Sequence, residues 1–77
     1  MPKLPVVSGK KLLATLVKHD YVAVRKKGSH VFVESSDGKH GTVIPIHGDE
    51  DLGLGLLKSI LNDLDISVDD LRRMLRR

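Results

Sequence analysis

The 77-residue sequence predicts an α+β fold of order αβββαα: a three-stranded antiparallel sheet with helices on one face, an αβββα core, and a short extra C-terminal helix. Three observations predict it. Leu12, Leu13, Leu16 and Val17 fall on one helical stripe. From Tyr21 to Ile46 the chain alternates and is rich in β-branched residues, punctuated by Gly28-Ser29 and Asp37-Gly38. From Leu52 to Leu75 the apolar residues return to helical spacing.

Pro2 and Pro5 mark a short extended arm, and Ser8 is a good N-cap for a first helix running to about His19. Its stripe is Leu12, Leu13, Leu16 and Val17, with Lys10, Lys11 and Lys18 off it. The first two strands flank Gly28-Ser29, and a two-residue loop led by Gly suits a type II′ hairpin. That turn sets Lys27 opposite His30, Arg25 opposite Phe32 and Val24 opposite Val33. Strand parity then puts Val22, Val24, Val31 and Val33 on the helix-covered side. Tyr21, Arg25, Lys27, His30, Phe32 and Glu34 share the open side.

Asp37-Gly38 predicts a second two-residue hairpin into a third strand, His40 to Ile46, with Ile44 opposite Val31, Val43 opposite Phe32 and Pro45 opposite His30. Pro45 suits an edge strand, where some ladder positions need no donor. Asp49, Glu50 and Asp51 read as N-cap and first-turn acids of a second helix striped by Leu52, Leu56, Leu57, Ile60, Leu61 and Leu64. Gly53 and Gly55, costly in a helix interior, belong in its first turn or at a close backbone approach. Ser67-Val-Asp-Asp70 resembles a capping box for the final helix through Leu71 and Leu75.

The length allows one domain, residues 1–77, rather than two. With 40% hydrophobic and 30% charged residues the balance is globular, but one Phe, one Tyr and no Trp leave the core to Leu, Val and Ile. The absence of Cys excludes disulfides, thiolate catalysis and Cys-ligated zinc. No apolar run reaches the roughly 20 residues of a membrane span, and Met1 to Lys11 holds no signal-peptide core, so a cytoplasmic location is expected. The +3 net charge is uneven. Over residues 1–48, eight Lys and Arg stand against Asp20, Glu34 and Asp37, whereas over residues 49–77 five stand against seven acids. A basic front half favours a polyanionic partner, because neutralised phosphates release counterions.

On the predicted register Arg25, Lys27, His30 and Phe32 are cross-strand neighbours on the open face. Arg25 and Lys27 suit phosphate oxygens, Phe32 offers a stacking plane to an unpaired base, and Arg25 can pack over it as a cation. His30 is the titratable group there that exchanges a proton near neutral pH. It is a candidate general base towards a ribose 2′-hydroxyl, with the two cations facing the charge that develops on phosphate. His47 falls diagonal to His30 if the second loop has two residues, as a candidate acid or RNA ligand. His19 and His40 sit at element ends and read as structural. His40 and His47 are too poorly spaced to suggest a metal site, Gly53-Leu-Gly55 lacks the setting of a phosphate loop, and no cofactor is implied. Arg72, Arg73, Arg76 and Arg77 form a basic tail suited to a helix C-terminus.

These fragments, in this order, resemble the HicA family, the small messenger-RNA-cleaving toxins of bacterial and archaeal toxin–antitoxin pairs. Ser8-Gly9 with the Leu12/Leu16 stripe is similar to its opening helix, and Arg25-Lys-Lys-Gly-Ser-His30-Val-Phe32 to its signature hairpin. Val43-Ile-Pro-Ile-His47 and Gly55-Leu-Leu-Lys-Ser-Ile-Leu61 are similar to its third strand and second helix. The resemblance implies a double-stranded-RNA-binding-domain-like fold, ribonuclease activity that blocks translation, a catalytic His at the position of His30, and a HicB-type antitoxin covering the active face. Asp20 and Asp65 depart from the pattern, standing where the family usually carries Gly. A non-catalytic RNA-binding module, or a face that only docks a partner protein, are the other functions these residues allow.

Overall fold

The computed structural model describes residues 3–76. Pro2 of the expected arm and Arg77 of the basic tail lie outside the described residues. Helix α1, Gly9–Lys18, begins at Ser8, whose hydroxyl accepts the Lys11 N–H at 3.0 Å. After the His19 cap, Asp20 adopts a left-handed φ of 70° and reverses the chain into β1, Tyr21–Lys27. Strands β2, His30–Ser35, and β3, Gly41–Pro45, complete an antiparallel sheet of order β1-β2-β3. Helix α2 spans Leu54–Leu64 and α3 spans Val68–Leu75. The layout is the expected αβββαα.

The two turns set the register the sequence predicts near the hairpin tip. Gly28 has φ 60° while Ser29 keeps negative φ, as a type II′ turn demands, and Lys27 pairs with His30 and Arg25 with Phe32. Ile44 pairs with Val31, Val43 with Phe32 and Pro45 with His30. The second loop is longer than expected, residues 36–39, yet keeps that register. The Ser35 carbonyl accepts the Gly38 N–H at 2.8 Å, and the Asp37 carboxylate takes the Ser35 hydroxyl at 2.6 Å and the Lys39 N–H at 3.0 Å. Those donors, the Ser35 hydroxyl first, hold Asp37 below the usual carboxylate range.

The core lies between the sheet's covered face and the helices. Val31, Val33 and Ile44 project from the strands, and Leu12, Leu16, Leu57, Ile60, Leu64 and Leu71 meet them. The structure corrects the sequence periodicity at four residues that the pattern assigns to the core: Val17, Val22, Val24 and Leu56 are all exposed, by 43–51%. For Val17 and Leu56 the reason is tertiary, since among the described residues no element covers that edge of either stripe. For Val22 and Val24 it is a β-bulge between Ala23 and Arg25, which pairs Ala23 rather than Val24 with Val33. One extra residue flips the parity of the strand before it. Tyr21 therefore pairs with Ser35 and packs half-buried against the core, and Val22 pairs with Glu34 on the open side.

The second helix also starts later than its acids suggest. Asp51 bridges to Ser8, and Leu52 donates its N–H to the Val7 carbonyl at 2.9 Å, so residues 51–52 are tied to the N-terminal arm in extended form. Leu52 is still buried, as a strap rather than a helical turn. Gly53 then serves as N-cap without a side-chain bond, and Gly55 lies in the first turn. A left-handed Asp65, φ 57°, ends α2, and the Ser67 hydroxyl caps α3 by accepting the Asp70 N–H at 3.0 Å. No helix among the described residues is long and apolar enough to cross a membrane.

Candidate active site on the open face of the sheet

The covered face of the sheet is spent on the core, so the open face presents the polar residues of β1 and β2. The bulge at Val24 restores alternation from Arg25 onward, putting Arg25 and Lys27 on the same side as His30 and Phe32. The Arg25 guanidinium carbon sits 4.5 Å above the centre of the Phe32 ring, a cation–π contact. Arg25, Lys27 and His30 are exposed, while Phe32 and Val43 are half-buried. A hollow of about 550 Å³ at the hairpin tip is lined by Lys27, Gly28, Ser29, His30, Phe32 and Val43. Four features thus converge there: an imidazole, an ammonium, an aromatic ring and an apolar wall.

The turn that carries His30 is fastened to β3. Pro45 pairs with His30, and the Ile46 N–H donates to the Ser29 carbonyl at 2.6 Å. Of the five site residues the sequence singles out, Lys27, His30 and Phe32 line the hollow and Arg25 stacks on Phe32. His47 follows directly on Ile46, whose amide bonds to Ser29. It is exposed in the turn after β3, where its carbonyl accepts the Glu50 N–H at 3.0 Å, and it does not line the hollow. Ser29 and Val43 line it although the sequence reading does not single them out; the position of Ser29 beside His30 in a tight turn is the available signal. His40 bonds to Ser35 through its backbone just before β3.

At the far end of β1 a second cavity, about 400 Å³, is lined by His19, Tyr21, Asp65, Ile66, Asp70, Arg73 and Met74. Burial, and then the carboxylates of Asp65, Asp70 and Asp37, push the Tyr21 phenol above its ordinary pKa. Arg73 pairs with Asp70 on this wall. No group of three or more metal-ligating side chains forms among the described residues.

A compact αβββαα fold with an exposed His in a Gly-Ser-His turn narrows the relationship, and comparison with known families decides it. The family model for the HicA toxin of bacterial toxin–antitoxin pairs matches residues 9–66. The chain belongs to the HicA toxin family. A search of curated proteins found no match. The matched span runs from the first residue of α1 to just past α2, taking in the whole sheet and the His30 hollow. As a HicA protein the chain is the toxin of a toxin–antitoxin pair, and an antitoxin is its partner. Asp20 and Asp65 are the non-glycine residues with positive φ among those described, at 70° and 57°. Aspartate tolerates this region better than most residues, so both chain reversals are held at a modest cost.

Proposed function

We propose that this HicA toxin is a metal-independent endoribonuclease that cleaves messenger RNA in the cytoplasm and so stops translation, with His30 as its catalytic residue. The observation that carries the reading is the exposed imidazole of His30 in a hollow shared with Lys27 and bordered by the Arg25–Phe32 stack. Single-stranded RNA laid across the open face meets what it needs: cations for the phosphates and a ring face for a base. The neutral imidazole accepts the proton of a ribose 2′-hydroxyl, and the oxygen attacks the adjacent phosphorus in line. Lys27 and Arg25 stabilise the charge gathering on the phosphate. The 5′-oxygen leaves with a proton drawn from water, giving a 2′,3′-cyclic phosphate and a 5′-hydroxyl end. His47 is given a place as an RNA ligand beyond the end of β3, not as the acid.

The antitoxin, on this reading of HicB type, covers the same face, so that RNA and antitoxin compete for one surface. Induction of the chain in bacteria beside its His30→Ala variant tests the function. Growth arrest and transcript loss are expected for the wild type alone. RNA binding without cleavage, insensitive to His30 and weakening steeply with salt, marks a binding module instead.

A further inference from the structure

We propose that Gly9 is a positioning residue for His30: the absence of a side chain at the start of α1 lets the end of β3 seat against the helix and so holds the His30 turn in place. This rests on the ribonuclease reading for its kinetic arm only. A Cβ built on Gly9 would overlap the Pro45 carbonyl oxygen and lie 3.3 Å from Ile46 Cδ1, the one glycine among those described whose Cβ meets backbone so closely. Gly9 is buried and has no need of unusual φ, so conformational freedom is not the reason for a glycine there.

The two residues it touches are the two that hold the catalytic turn. Pro45 is the ladder partner of His30, and Ile46 donates its N–H to the Ser29 carbonyl at 2.6 Å. Any displacement of the end of β3 is therefore passed to residues 29 and 30.

Which side would yield to an added methyl group follows from how each is anchored. The start of α1 is held by the fully buried Leu12 and Leu16, by the Ser8 cap, and by the Ser8–Asp51 bridge beside the Val7–Leu52 hydrogen bond. The end of β3 is the end of an edge strand and runs into an exposed turn at residues 47–50. The strand end yields, and the His30 hollow opens. Sub-ångström misplacement of a proton-accepting group is enough to slow a reaction that depends on in-line geometry, and about 1 Å can cost on the order of 100-fold.

The test is the Gly9→Ala variant of the full chain, with Ile46→Pro as a second variant. Ile46→Pro removes the amide donor to Ser29 and adds no atom at Gly9, though it also takes the Ile46 side chain away from the start of α1. A Leu71→Val control loosens the core through α3, away from the hollow. For both Gly9→Ala and Ile46→Pro the expected result is a kcat on a short RNA reduced ten-fold or more, with KM changed less than about two-fold, and a displaced imidazole resonance of His30 in the NMR spectrum. Leu71→Val lowers Tm while kcat stays within about two-fold and the His30 resonance stays in place. Unchanged kcat and resonance in the folded variants overturn the proposal, as does an equal kcat loss in Leu71→Val. If Gly9→Ala fails to fold, Ile46→Pro decides. A wild type that does not cleave RNA sinks the ribonuclease reading, while the His30 resonance still decides the positioning claim.

Discussion

The Arg25–Phe32 stack makes a quantitative prediction about the hairpin that carries the candidate site. In a double-mutant cycle, Arg25→Met keeps the aliphatic stem and removes the guanidinium, and Phe32→Leu keeps an apolar side chain and removes the ring face. With the guanidinium carbon 4.5 Å from the ring centre and Arg25 exposed, the coupling expected is about 0.5–1 kcal/mol. In a domain of this size that corresponds to about 2–8 °C in Tm. Urea unfolding followed by circular dichroism measures all four corners of the cycle. Each single variant carries cavity and packing costs of its own, but these cancel in the cycle if the two sites are otherwise independent. A parallel cycle with Lys26 in place of Arg25 should give no coupling, because Lys26 pairs with Val31 on the covered side. Coupling below about 0.2 kcal/mol for Arg25, or a larger value for Lys26, would show that the register at the hairpin tip is wrong.

Further predictions concern the core, the turns and the far cavity. Leu12→Ala should cost about 2–5 kcal/mol and Val17→Ala less than about 0.5 in urea unfolding, because Leu12 is fully buried and Val17 half exposed on the same helix; equal costs would refute the observed helix face. At the left-handed positions, Asp20→Ala and Asp65→Ala should each lose about 1 kcal/mol while the matching Gly variants lose none, as read by thermal unfolding. Tyr21 is the only tyrosine and there is no tryptophan, so the phenolate absorbance band reports it alone. Its midpoint should lie above that of free tyrosine and move down in Asp65→Asn, since burial first and Asp65 next hold the phenol neutral. Because the folded form binds this proton more tightly, its contribution to stability is full below the ordinary phenol pKa and is lost as pH rises through the raised one. A midpoint at the ordinary value would place Tyr21 in solvent.

Much of this fold is legible in the sequence wherever a local rule decides the geometry. Ser8 and Ser67 cap helices because a short hydroxyl side chain reaches N–H groups with no partner inside the helix, and that needs no tertiary contact. Gly28-Ser29 fixes the first hairpin, and with it the neighbours of His30, because a type II′ turn permits one register only. Asp37-Gly38 sets the second register even though the loop is four residues long.

What is not legible depends on contacts between distant segments. Nothing in Tyr21-Val-Ala-Val-Arg25 marks the bulge: it has no glycine, and Val22 and Val24 look like core residues in a strict alternation. Burying the Tyr21 ring instead requires knowing that α2 and α3 end beside it. The start of α2 is misread for a related reason. Asp49 to Asp51 have the composition of a helix start, but Asp51 and Leu52 are claimed by the arm at Val7 and Ser8, far away in sequence. Register alone places His47 near His30, and the turn that follows Pro45 takes it off the ladder. Gly9, which reads only as part of a helix start, has its explanation in Pro45, at the end of β3.

One measurement reaches the central claim directly: cleavage of a DNA oligonucleotide containing a single ribonucleotide by the purified chain, in the presence of a chelator. A cut at that one position is expected, leaving a 2′,3′-cyclic phosphate and a 5′-hydroxyl, and His30→Ala should slow it by about 100-fold or more. A His30→Ala rate equal to the wild type, or cutting that persists when the ribonucleotide carries a 2′-O-methyl group, would contradict the account.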